Sequence, residues 1–282
     1  MNFEDLLVDG NHLKQDTVLI TFGAGSSGWK DAARRIHRDA NACELFSSVE
    51  IFDEKWIQDF EPELWTQIRN HLKSNQKKGF GYWIWKPALL KWADQKWPEK
   101  QILYVDSGFH IDLKENLASD FSNFLKISFE SGGIAFEQIG LQEECWTKKE
   151  IFDYFKCTSE DKEKNQLYAG FILMPPGRTR KLLVNEFYDL TKFRNGYLFD
   201  DNLDSNQSNN LIETRHDQSI FSILWRKYKL PTTPDLTSTS NSGNFLFIAA
   251  RNRTGFSANK PKVLLKLVRQ VNKIRDKKVL FV

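Results

Sequence analysis

The run TVLITF at residues 17–22, followed by the turn GAGSSG at residues 23–28, decides the fold of this 282-residue chain. The first segment is short, apolar and β-branched, which predicts a buried strand, and the glycine-rich turn leads into a helical stretch from about Trp29 to Leu45. A second apolar run at residues 49–52 closes a strand–helix–strand unit, the right-handed crossover that builds parallel sheets. The first 55 residues therefore predict half of a nucleotide-binding α/β fold.

Helix and strand patterns alternate along the rest of the chain. An amphipathic helix is predicted from Glu54 to about Asn75 with a break near Pro62, and the aromatic segment GFGYWIWKP leads into a helix ending near Trp97. We expect a single domain over residues 1–258, with a mixed, mainly parallel sheet flanked by helices. The further predicted strands are 101–105, 133–136 and 167–174, the further helices are 178–193 and 216–228, and the long surface loops are 196–210 and 231–244.

The composition is that of an ordinary globular chain, with 40% hydrophobic and 27% charged residues and a mean hydropathy of −0.51. Three widely spaced cysteines, Cys43, Cys145 and Cys157, form neither the pairs of a zinc site nor a disulfide framework. No stretch approaches the roughly 18 apolar residues of a spanning helix, and the acidic start of the chain lacks the pattern of a signal peptide. These features predict a cytoplasmic protein.

Charge is concentrated in a tail at residues 259–282, which holds eight Lys and Arg residues and one Asp. The tail is therefore +7, and the net charge of +3 leaves −4 for residues 1–258. A body of that charge gives no electrostatic footprint for nucleic acid. Apolar residues recur at helical spacing from Val263 to Ile274, which predicts a basic amphipathic helix. Two interpretations are open: a helix docked on the domain, or a peripheral contact with the inner membrane surface, where a lipid-linked acceptor would lie.

The residues just after each strand are the candidates for ligand binding, because open α/β sheets bind ligands at the carboxyl ends of their strands. Asp106-Ser107-Gly108 directly follows the apolar run QILYV. A carboxylate at that position faces a cleft, and the small residues after it let a ligand approach the backbone closely. The alternative interpretation is an Asp that caps a turn.

Four motifs, taken in order, resemble glycosyltransferases of the GT-A type. They are Lys86-Pro87 in a helix, ILYVDSG at 102–108, LYAGFIL at 167–173 and His216-Asp217-Gln218 at a helix start. The likeness is to family 8 and to capsule or lipopolysaccharide sugar transferases with a GYWxWKP segment, and it runs from Thr17 to Tyr228. It implies a Rossmann-like GT-A fold and transfer of a sugar from a nucleoside-diphosphate sugar, with UDP-sugar expected, to a glycan or lipid-linked acceptor in polysaccharide biosynthesis. It also implies retention of the anomeric configuration.

The resemblance implies roles for individual residues. Asp106 matches the first Asp of a DxD motif and would face the ribose or the diphosphate, while Lys86 matches a basic residue that contacts the phosphates and stabilises the departing diphosphate. Asp217 and Gln218 match an acidic–amide pair beside the anomeric carbon, and helix capping is the alternative for Asp217. The expected catalytic residues are Asp217, Gln218 and Asp106. The expected donor-binding residues are Phe22, Gly23, Gly25, Arg35, Lys86, Asp106, Ser107, Gly108, Ala169, Gly170 and His216.

Aromatic residues and metal ligands complete the predicted site. Tyr82, Trp83 and Trp85 are the expected acceptor-binding residues because aromatic faces stack on sugar rings, and core packing is their alternative role. Gly108 stands where the resembled family has the second Asp, its main metal ligand, which argues against dependence on Mn²⁺ or Mg²⁺. Asp106 and His110 are the candidate metal ligands, with a structural role as the alternative for His110. The acidic segment at residues 200–204 is predicted to be a solvated loop.

A rival interpretation starts from the same turn, because GAGSSG fits the dinucleotide-binding pattern GxGxxG and Asp53 ends the next strand 25 residues after Gly28. In an NAD(P)-dependent oxidoreductase the glycines would admit a pyrophosphate and Asp53 would hold a ribose hydroxyl. A GT-A enzyme would use the same turn for the base and ribose, with Arg34 or Arg35 on the phosphate or base side. Nothing downstream supplies a hydride-transfer site, so the oxidoreductase is the alternative. A non-catalytic sugar-nucleotide-binding module is the third interpretation.

Overall fold

The computed structural model describes residues 16–73, 78–204, 206–239 and 244–254. Its contacts divide the chain into two compact units. Unit 1 comprises the described residues of Met1–Trp56, Lys100–Glu130 and Leu236–Val282, and unit 2 comprises those of Ile57–Glu99 and Ser131–Asp235. The predicted tail at residues 259–282 lies outside the described residues, and the prediction of one domain over residues 1–258 stays a prediction.

Strands and helices alternate, as the sequence predicts. The strands are β1 (Thr17–Phe22), β2 (Ser48–Phe52), β3 (Gln101–Val105), β4 (His110–Ile111), β5 (Ala135–Gln142), β6 (Asn165–Leu167), β7 (Phe171–Met174), β8 (Thr232–Pro234) and β9 (Phe247–Ile248). The helices are α1 (Ser27–Ala42), α2 (Glu54–Phe60), α3 (Pro62–Lys73), α4 (Trp85–Lys96), α5 (Glu115–Ser131), α6 (Glu143–Trp146), α7 (Lys149–Phe155), α8 (Ser159–Glu163), α9 (Arg178–Lys192) and α10 (Asp217–Lys227). Short helical turns lie at Gly79–Tyr82 and Phe193–Gly196.

Unit 1 is built on three parallel strands in the order β2-β1-β3. Leu19 of β1 aligns with Val49 of β2 on one side and with Leu103 of β3 on the other. Helix α1 packs on β1 and β2, and Gly23 makes this possible, because a Cβ there would lie 2.5 Å from the carbonyl oxygen of Trp29. The predicted strand–helix–strand unit and the α/β fold class are confirmed.

Unit 2 combines a small sheet with packed helices. Strand β5 pairs with β6 in the antiparallel sense and with β8 in the parallel sense. Helix α9 packs on α4 and α10, and α10 packs on β6. A buried ion pair ties α9 to α4, since the Arg180 Nε donates to the Asp94 Oδ1 at 2.6 Å and its Nη2 donates to the carbonyl oxygens of Trp97 and Pro98. The predicted break at Pro62 is also confirmed, because α2 ends at Phe60 and α3 begins at Pro62.

Three sequence-based predictions differ from the structure of unit 2. The single strand predicted over 167–174 is wrong, since residues 168–170 separate β6, which pairs with β5, from β7, in which Leu173 bridges to Ile134. The strand predicted at 133–136 begins at Ala135 and extends to Gln142. The loop predicted at 231–244 contains β8, which pairs with β5. Each difference comes from pairing between distant segments, which local residue patterns do not record.

Candidate functional site

Three of the predicted site residues meet in unit 2. The Lys86 Nζ donates to the Asp217 Oδ2 at 2.5 Å and to the carbonyl oxygen of Ala169 at 2.9 Å. Both charged side chains are buried, with 2% of Lys86 and 5% of Asp217 exposed. The residues belong to three separate sequence motifs, so their meeting is a consequence of the fold and not of sequence proximity.

Helix ends and a strand break bring these residues together. Lys86 lies in the first turn of α4, and Asp217 is the first residue of α10, where the helix dipole favours a negative charge. Ala169 lies in the break between β6 and β7, so its carbonyl oxygen is outside a strand and open to the ammonium group. A buried ammonium needs such partners, because an isolated charge in a protein interior is strongly destabilising.

The position of Lys86 differs from the prediction that it contacts the donor phosphates. Its ammonium group donates to the Asp217 carboxylate and to the carbonyl oxygen of Ala169, both in unit 2, and the side chain is almost completely buried. Lys86 therefore acts on Asp217, by fixing one carboxylate oxygen. Gly170, also predicted to admit the donor, is instead covered by Tyr168, whose ring would lie 2.6 Å from a Cβ at position 170.

Gln218 follows Asp217 at the start of α10 and is held by two other glutamines. Its Nε2 donates to the Oε1 of Gln138 at 2.9 Å and to the Oε1 of Gln166 at 2.8 Å. The side chain is largely buried, with 8% exposed. The structure thus brings the two predicted catalytic side chains of α10 to one helix start and fixes each through a different partner.

His216 lies just before α10 and is also buried, with 4% exposed. Its Nδ1 lies 2.8 Å from the carbonyl oxygen of Phe199, and its ring stacks on Trp83 at a centroid distance of 5.6 Å and lies against Tyr82 at 4.8 Å. Burial lowers the pKa of His216 to about 4. The ring is therefore neutral at pH 7 and serves as a flat packing and hydrogen-bonding group.

Residues 79–83 form a left-handed turn, with φ between 52° and 86° at all five positions. Gly79 and Gly81 adopt this conformation readily, whereas Phe80, Tyr82 and Trp83 each do so at a cost of about 1–2 kcal/mol. Strain of this kind persists only where the surroundings impose it, and it clusters at functional sites. The turn places the Tyr82 and Trp83 rings against His216.

The three predicted acceptor-binding aromatic residues have different exposures. Tyr82 and Trp85 are buried, at 1% and 4% exposure, and the Trp85 Nε1 donates to the carbonyl oxygen of Gly79 at 3.1 Å. These two side chains pack in the core, which was the alternative role. Trp83 is partly exposed. Trp83 is accordingly the one of the three that reaches the surface.

The acidic segment at residues 200–204 is not a fully solvated loop, which corrects the prediction. Asp200 is buried, and its Oδ1 accepts a hydrogen bond from the Lys148 Nζ at 3.1 Å. The same ammonium donates to the carbonyl oxygens of Tyr197, Asp200 and Asn202. Burial lowers the pKa of Lys148, and Asp200 opposes that effect. Lys148, which sequence reasoning missed, thus anchors the segment from inside.

Asp201 is a second residue that the sequence analysis left out of the site. It is partly exposed, and its carboxylate lies 3.7 Å from the His216 Nε2, 3.4 Å from the Lys78 Nζ and 3.0 Å from the Thr214 hydroxyl. Through His216 it adjoins the stacked Trp83 ring. The acidic run was a signal in the sequence, but nothing local indicated that this run packs beside the aromatic turn.

In unit 1, Asp106 follows β3 as predicted. Its Oδ1 accepts a hydrogen bond from the Tyr104 hydroxyl at 2.5 Å, and its carbonyl oxygen accepts one from the Phe109 amide, which closes a turn. Asp106 is partly exposed, whereas Ser107 is buried. A Cβ on Gly108 would lie in ordinary contact with the Trp29 ring, at 3.5 Å, so protein already fills the space beside this glycine.

Arg35 differs from the prediction that it binds the donor. Its guanidinium group is fully buried and donates to the carbonyl oxygens of Ser107, Phe109, Asn252 and Thr254. Burial lowers the pKa of Arg35 to about 10, which leaves it charged at pH 7. The side chain therefore holds the turn after β3 and the segment 252–254 together within unit 1.

Arg251 and Arg253 are exposed cations that the sequence analysis missed. They flank Asn252, whose amide donates to the carbonyl oxygen of Gly108 at 2.8 Å, so both lie beside the Asp106 turn. The Arg253 guanidinium stacks over the Trp29 ring at 4.6 Å. The signal available in the sequence was an RNR triplet shortly after an apolar run at residues 245–248.

His110, a candidate metal ligand, is buried in β4 with 5% exposed. Burial lowers the pKa of His110, and the nearby positive charge of Arg35 lowers it further. The same positive charge opposes a divalent cation at this imidazole. Across the described ranges, no group of three or more His, Cys, Asp or Glu side chains could hold a metal ion. The structural role of His110 accounts for its position, and metal dependence stays a prediction.

The glycine-rich turn and Asp53 have roles within unit 1. Gly25 is exposed and left-handed, with φ of 83°, while Phe22 is buried at the end of β1. The Asp53 Oδ1 accepts hydrogen bonds from the backbone amides of Lys55 and Trp56, at 2.9 and 3.4 Å. Asp53 thus caps α2, and one of its two oxygens is used by the helix instead of by a ribose.

No family model and no curated protein matches this sequence. Among solved structures, the chain is similar to mouse xyloside xylosyltransferase 1 in its apo form, with 12% sequence identity and a TM-score of 0.38. The similarity covers 79% of this chain and 86% of the mouse chain. At that TM-score it is too low to assign a fold or a function here. No helix in the described ranges is long and apolar enough to cross a membrane.

Proposed function

We propose that this chain is a glycosyltransferase of the GT-A type that uses a nucleoside-diphosphate sugar. The observation that carries the proposal is the meeting of Lys86, Ala169 and Asp217 in unit 2. Each belongs to one of the motifs in which the sequence resembles these enzymes, and a chance resemblance gives no reason for the three to make direct contact.

Asp217 and Gln218 are the proposed residues at the anomeric carbon. In the proposed reaction, the bond between that carbon and the diphosphate oxygen breaks while a bond to the acceptor oxygen forms on the same face. The acceptor proton passes to the departing diphosphate. The carboxylate of Asp217 and the amide oxygen of Gln218 stabilise the positive charge that develops on the sugar. Lys86 fixes Asp217 in place, since its Nζ donates to the Asp217 Oδ2 at 2.5 Å.

In unit 1, the Asp106 turn is the proposed place for the nucleotide. Asp106 is partly exposed, and Arg251 and Arg253 beside it carry exposed positive charge that suits a diphosphate. In this proposal Arg251 and Arg253 contact the diphosphate, and Lys86 and Arg35 do not, because their charges are buried. UDP is the proposed nucleotide. Asp106 is also the residue that would hold Mn²⁺ or Mg²⁺ if the reaction uses one.

The acceptor is proposed to be a glycan or a lipid-linked sugar that stacks on Trp83, a partly exposed ring of the left-handed turn. A lipid-linked acceptor would place the enzyme at a membrane surface, to which the basic tail would bind peripherally. Sedimentation with anionic vesicles, for the full chain and a chain ending at Asn259, separates this idea from a docked tail. Equal and negligible sedimentation of both chains would refute the membrane contact.

Thermal shifts with UDP, GDP, CMP, NAD and NADP test the nucleotide first. We expect stabilisation by UDP, weakened in an Arg251→Ala/Arg253→Ala double variant. Turnover with a panel of nucleoside-diphosphate sugars then tests the chemistry, and NMR of the product anomer tests retention. Stabilisation by NAD or NADP alone would contradict the proposal in favour of an oxidoreductase. Selective binding of UDP-sugar without turnover in any acceptor mixture would favour a non-catalytic module.

A further inference from the structure

Gln218 stands at one end of a chain of amide groups in unit 2. Its Nε2 donates to the Oε1 of Gln166 at 2.8 Å, and the Gln166 Nε2 donates in turn to the Glu143 Oε2 at 3.2 Å. A branch starts from Gln138, whose Oε1 accepts from the Gln218 Nε2 and from the Arg215 Nη1. Glu143 and Gln166 are completely buried.

Glu143 is one of the groups that give this chain of amides its direction. Besides Gln166, it accepts hydrogen bonds from the Thr147 hydroxyl at 2.6 Å, the Arg226 Nη1 at 3.1 Å and the Ser222 hydroxyl. Burial raises the pKa of Glu143, and the Arg226 charge and the three other donors oppose that effect. The ionised carboxylate can only accept, as can the carbonyl oxygen of Trp146, which lies 3.4 Å from the Gln166 Nε2, whereas an amide has one accepting and one donating end. Glu143 and Trp146 together therefore direct the Gln166 nitrogen toward themselves and its oxygen toward Gln218.

The same logic fixes Gln218. It faces the Oε1 of Gln166 on one side and the Oε1 of Gln138, fixed by Arg215, on the other. Both neighbours accept, so the Gln218 nitrogen must turn inward to them. Its Oε1 is then left for another donor or a positive charge. Within residues 16–73, 78–204, 206–239 and 244–254, no hydrogen bond to that oxygen is formed, and it is not a fully buried atom.

We infer that Glu143 and Gln166 are positioning residues that orient the Gln218 amide so that its oxygen, and not its nitrogen, faces the reacting sugar. The inference rests on the proposed function, in which that oxygen stabilises positive charge at the anomeric carbon. A reversed amide would present N–H groups to the same charge and oppose the reaction. In this relay of Glu143, Gln166 and Gln218, a buried carboxylate thus fixes, through Gln166, the direction of the Gln218 amide dipole.

The substitution Glu143→Gln tests the relay, because it replaces an acceptor-only group by one with a donating end and so removes one of the groups that set the direction of the Gln166 amide. We expect kcat to fall about 10- to 100-fold, a size typical of misplaced catalytic groups, with the donor KM within about twofold. Asp94→Asn is the matched control: it makes the same carboxylate-to-amide change in the buried Asp94–Arg180 pair of unit 2, away from the relay. We expect Asp94→Asn to lower the melting temperature and leave kcat unchanged.

The double variant Glu143→Gln/Gln166→Glu exchanges the two ends and restores an acceptor-only group opposite Gln218. We expect it to recover a large part of kcat relative to Glu143→Gln, although the number of altered residues is greater. A double variant that recovers nothing, together with an equal loss of kcat in Asp94→Asn, would overturn the relay and leave Glu143 as a structural residue.

A readout without turnover separates this inference from the proposed function. The side-chain NH₂ signals of Gln218, assigned by their absence in Gln218→Leu, should exchange slowly with solvent, shift in Glu143→Gln and return in the double variant. That result supports the relay even if the wild type transfers no sugar. Unchanged Gln218 signals in Glu143→Gln would refute the relay whatever the enzyme's activity.

Discussion

The two units each contain a buried cation that the sequence predicts to bind the donor, and these cations have different partners. In unit 1, Arg35 is surrounded by backbone carbonyl oxygens. In unit 2, Lys86 pairs with the Asp217 carboxylate and one carbonyl oxygen. A cation among carbonyl dipoles joins chain segments, whereas one paired with a carboxylate controls the charge and position of that side chain. The comparison therefore assigns Arg35 to structure and Lys86 to the proposed chemistry.

The largest expected effect comes from breaking the pair in unit 2. Lys86→Met removes the buried ammonium that pairs with Asp217, so the free energy of unfolding should fall by about 3–5 kcal/mol and turnover should be lost. Lys86→Met/Asp217→Leu removes both charges and should recover much of the stability but none of the turnover. Urea unfolding and donor turnover measure the two properties separately.

Arg180→Met is the control for this prediction, because it breaks the other buried ion pair of unit 2, between Arg180 and Asp94. It should cost a similar free energy of unfolding while the folded fraction keeps its turnover. Equal turnover per folded molecule in Lys86→Met and Arg180→Met would contradict the functional assignment of Lys86.

The matching change in unit 1 is Arg35→Met, which removes the hydrogen bonds that the guanidinium donates to four carbonyl oxygens. We expect the free energy of unfolding to fall by about 3 kcal/mol, since hydrogen bonds to charged groups contribute about 1.5–3 kcal/mol each and are not additive. The affinity of the folded protein for UDP should stay within a few-fold of the wild type. If calorimetry detects no UDP binding at temperatures where the variant is fully folded, Arg35 belongs to the binding site and its assignment to structure is wrong.

Much of the fold could be predicted from the sequence, because local periodicity indicates β1, α1 and β2, and the glycine-rich turn marks the boundary between β1 and α1. The break at residues 168–170 could not, since it depends on β6 and Leu173 having different distant partners. Three of the predicted site residues, Lys86, Ala169 and Asp217, meet in the structure, and the site as a whole stays a prediction. Which of them touch could not be predicted, because Lys86 and Asp217 are 131 positions apart and no local pattern records their contact.

Protonation of His216, in unit 2, gives a further predicted effect on the free energy of unfolding. The pKa of His216 falls from 6.5 to about 4 on folding, so below pH 6.5 the unfolded chain binds a proton that the native state does not. Stability is therefore unaffected above pH 6.5 and should fall by on the order of 3 kcal/mol as the pH drops toward 4. The free energy of unfolding, measured at pH values from 7.5 to 4.5 for the wild type and His216→Phe, gives the contribution of His216. The same slope in both proteins would contradict it.

The smallest expected effect is at Asp53, which distinguishes helix capping from ribose binding. Asp53→Ala should lower the free energy of unfolding by about 1 kcal/mol, the usual contribution of an N-cap. Binding of nucleotides should be unchanged in thermal-shift titrations. A large stabilisation of the wild type by NAD that disappears in Asp53→Ala would instead support the oxidoreductase.

Turnover of nucleoside-diphosphate sugars by the wild type, Asp217→Asn and Asp94→Asn tests the central claim most directly. The two variants make the same chemical change in two buried ion pairs of unit 2. We expect the wild type and Asp94→Asn to release the nucleoside diphosphate as sugar is transferred, and Asp217→Asn to be slower by on the order of 100-fold or more while it remains folded. Equal turnover by a folded Asp217→Asn variant, or no transfer by the wild type from any donor, would contradict the account.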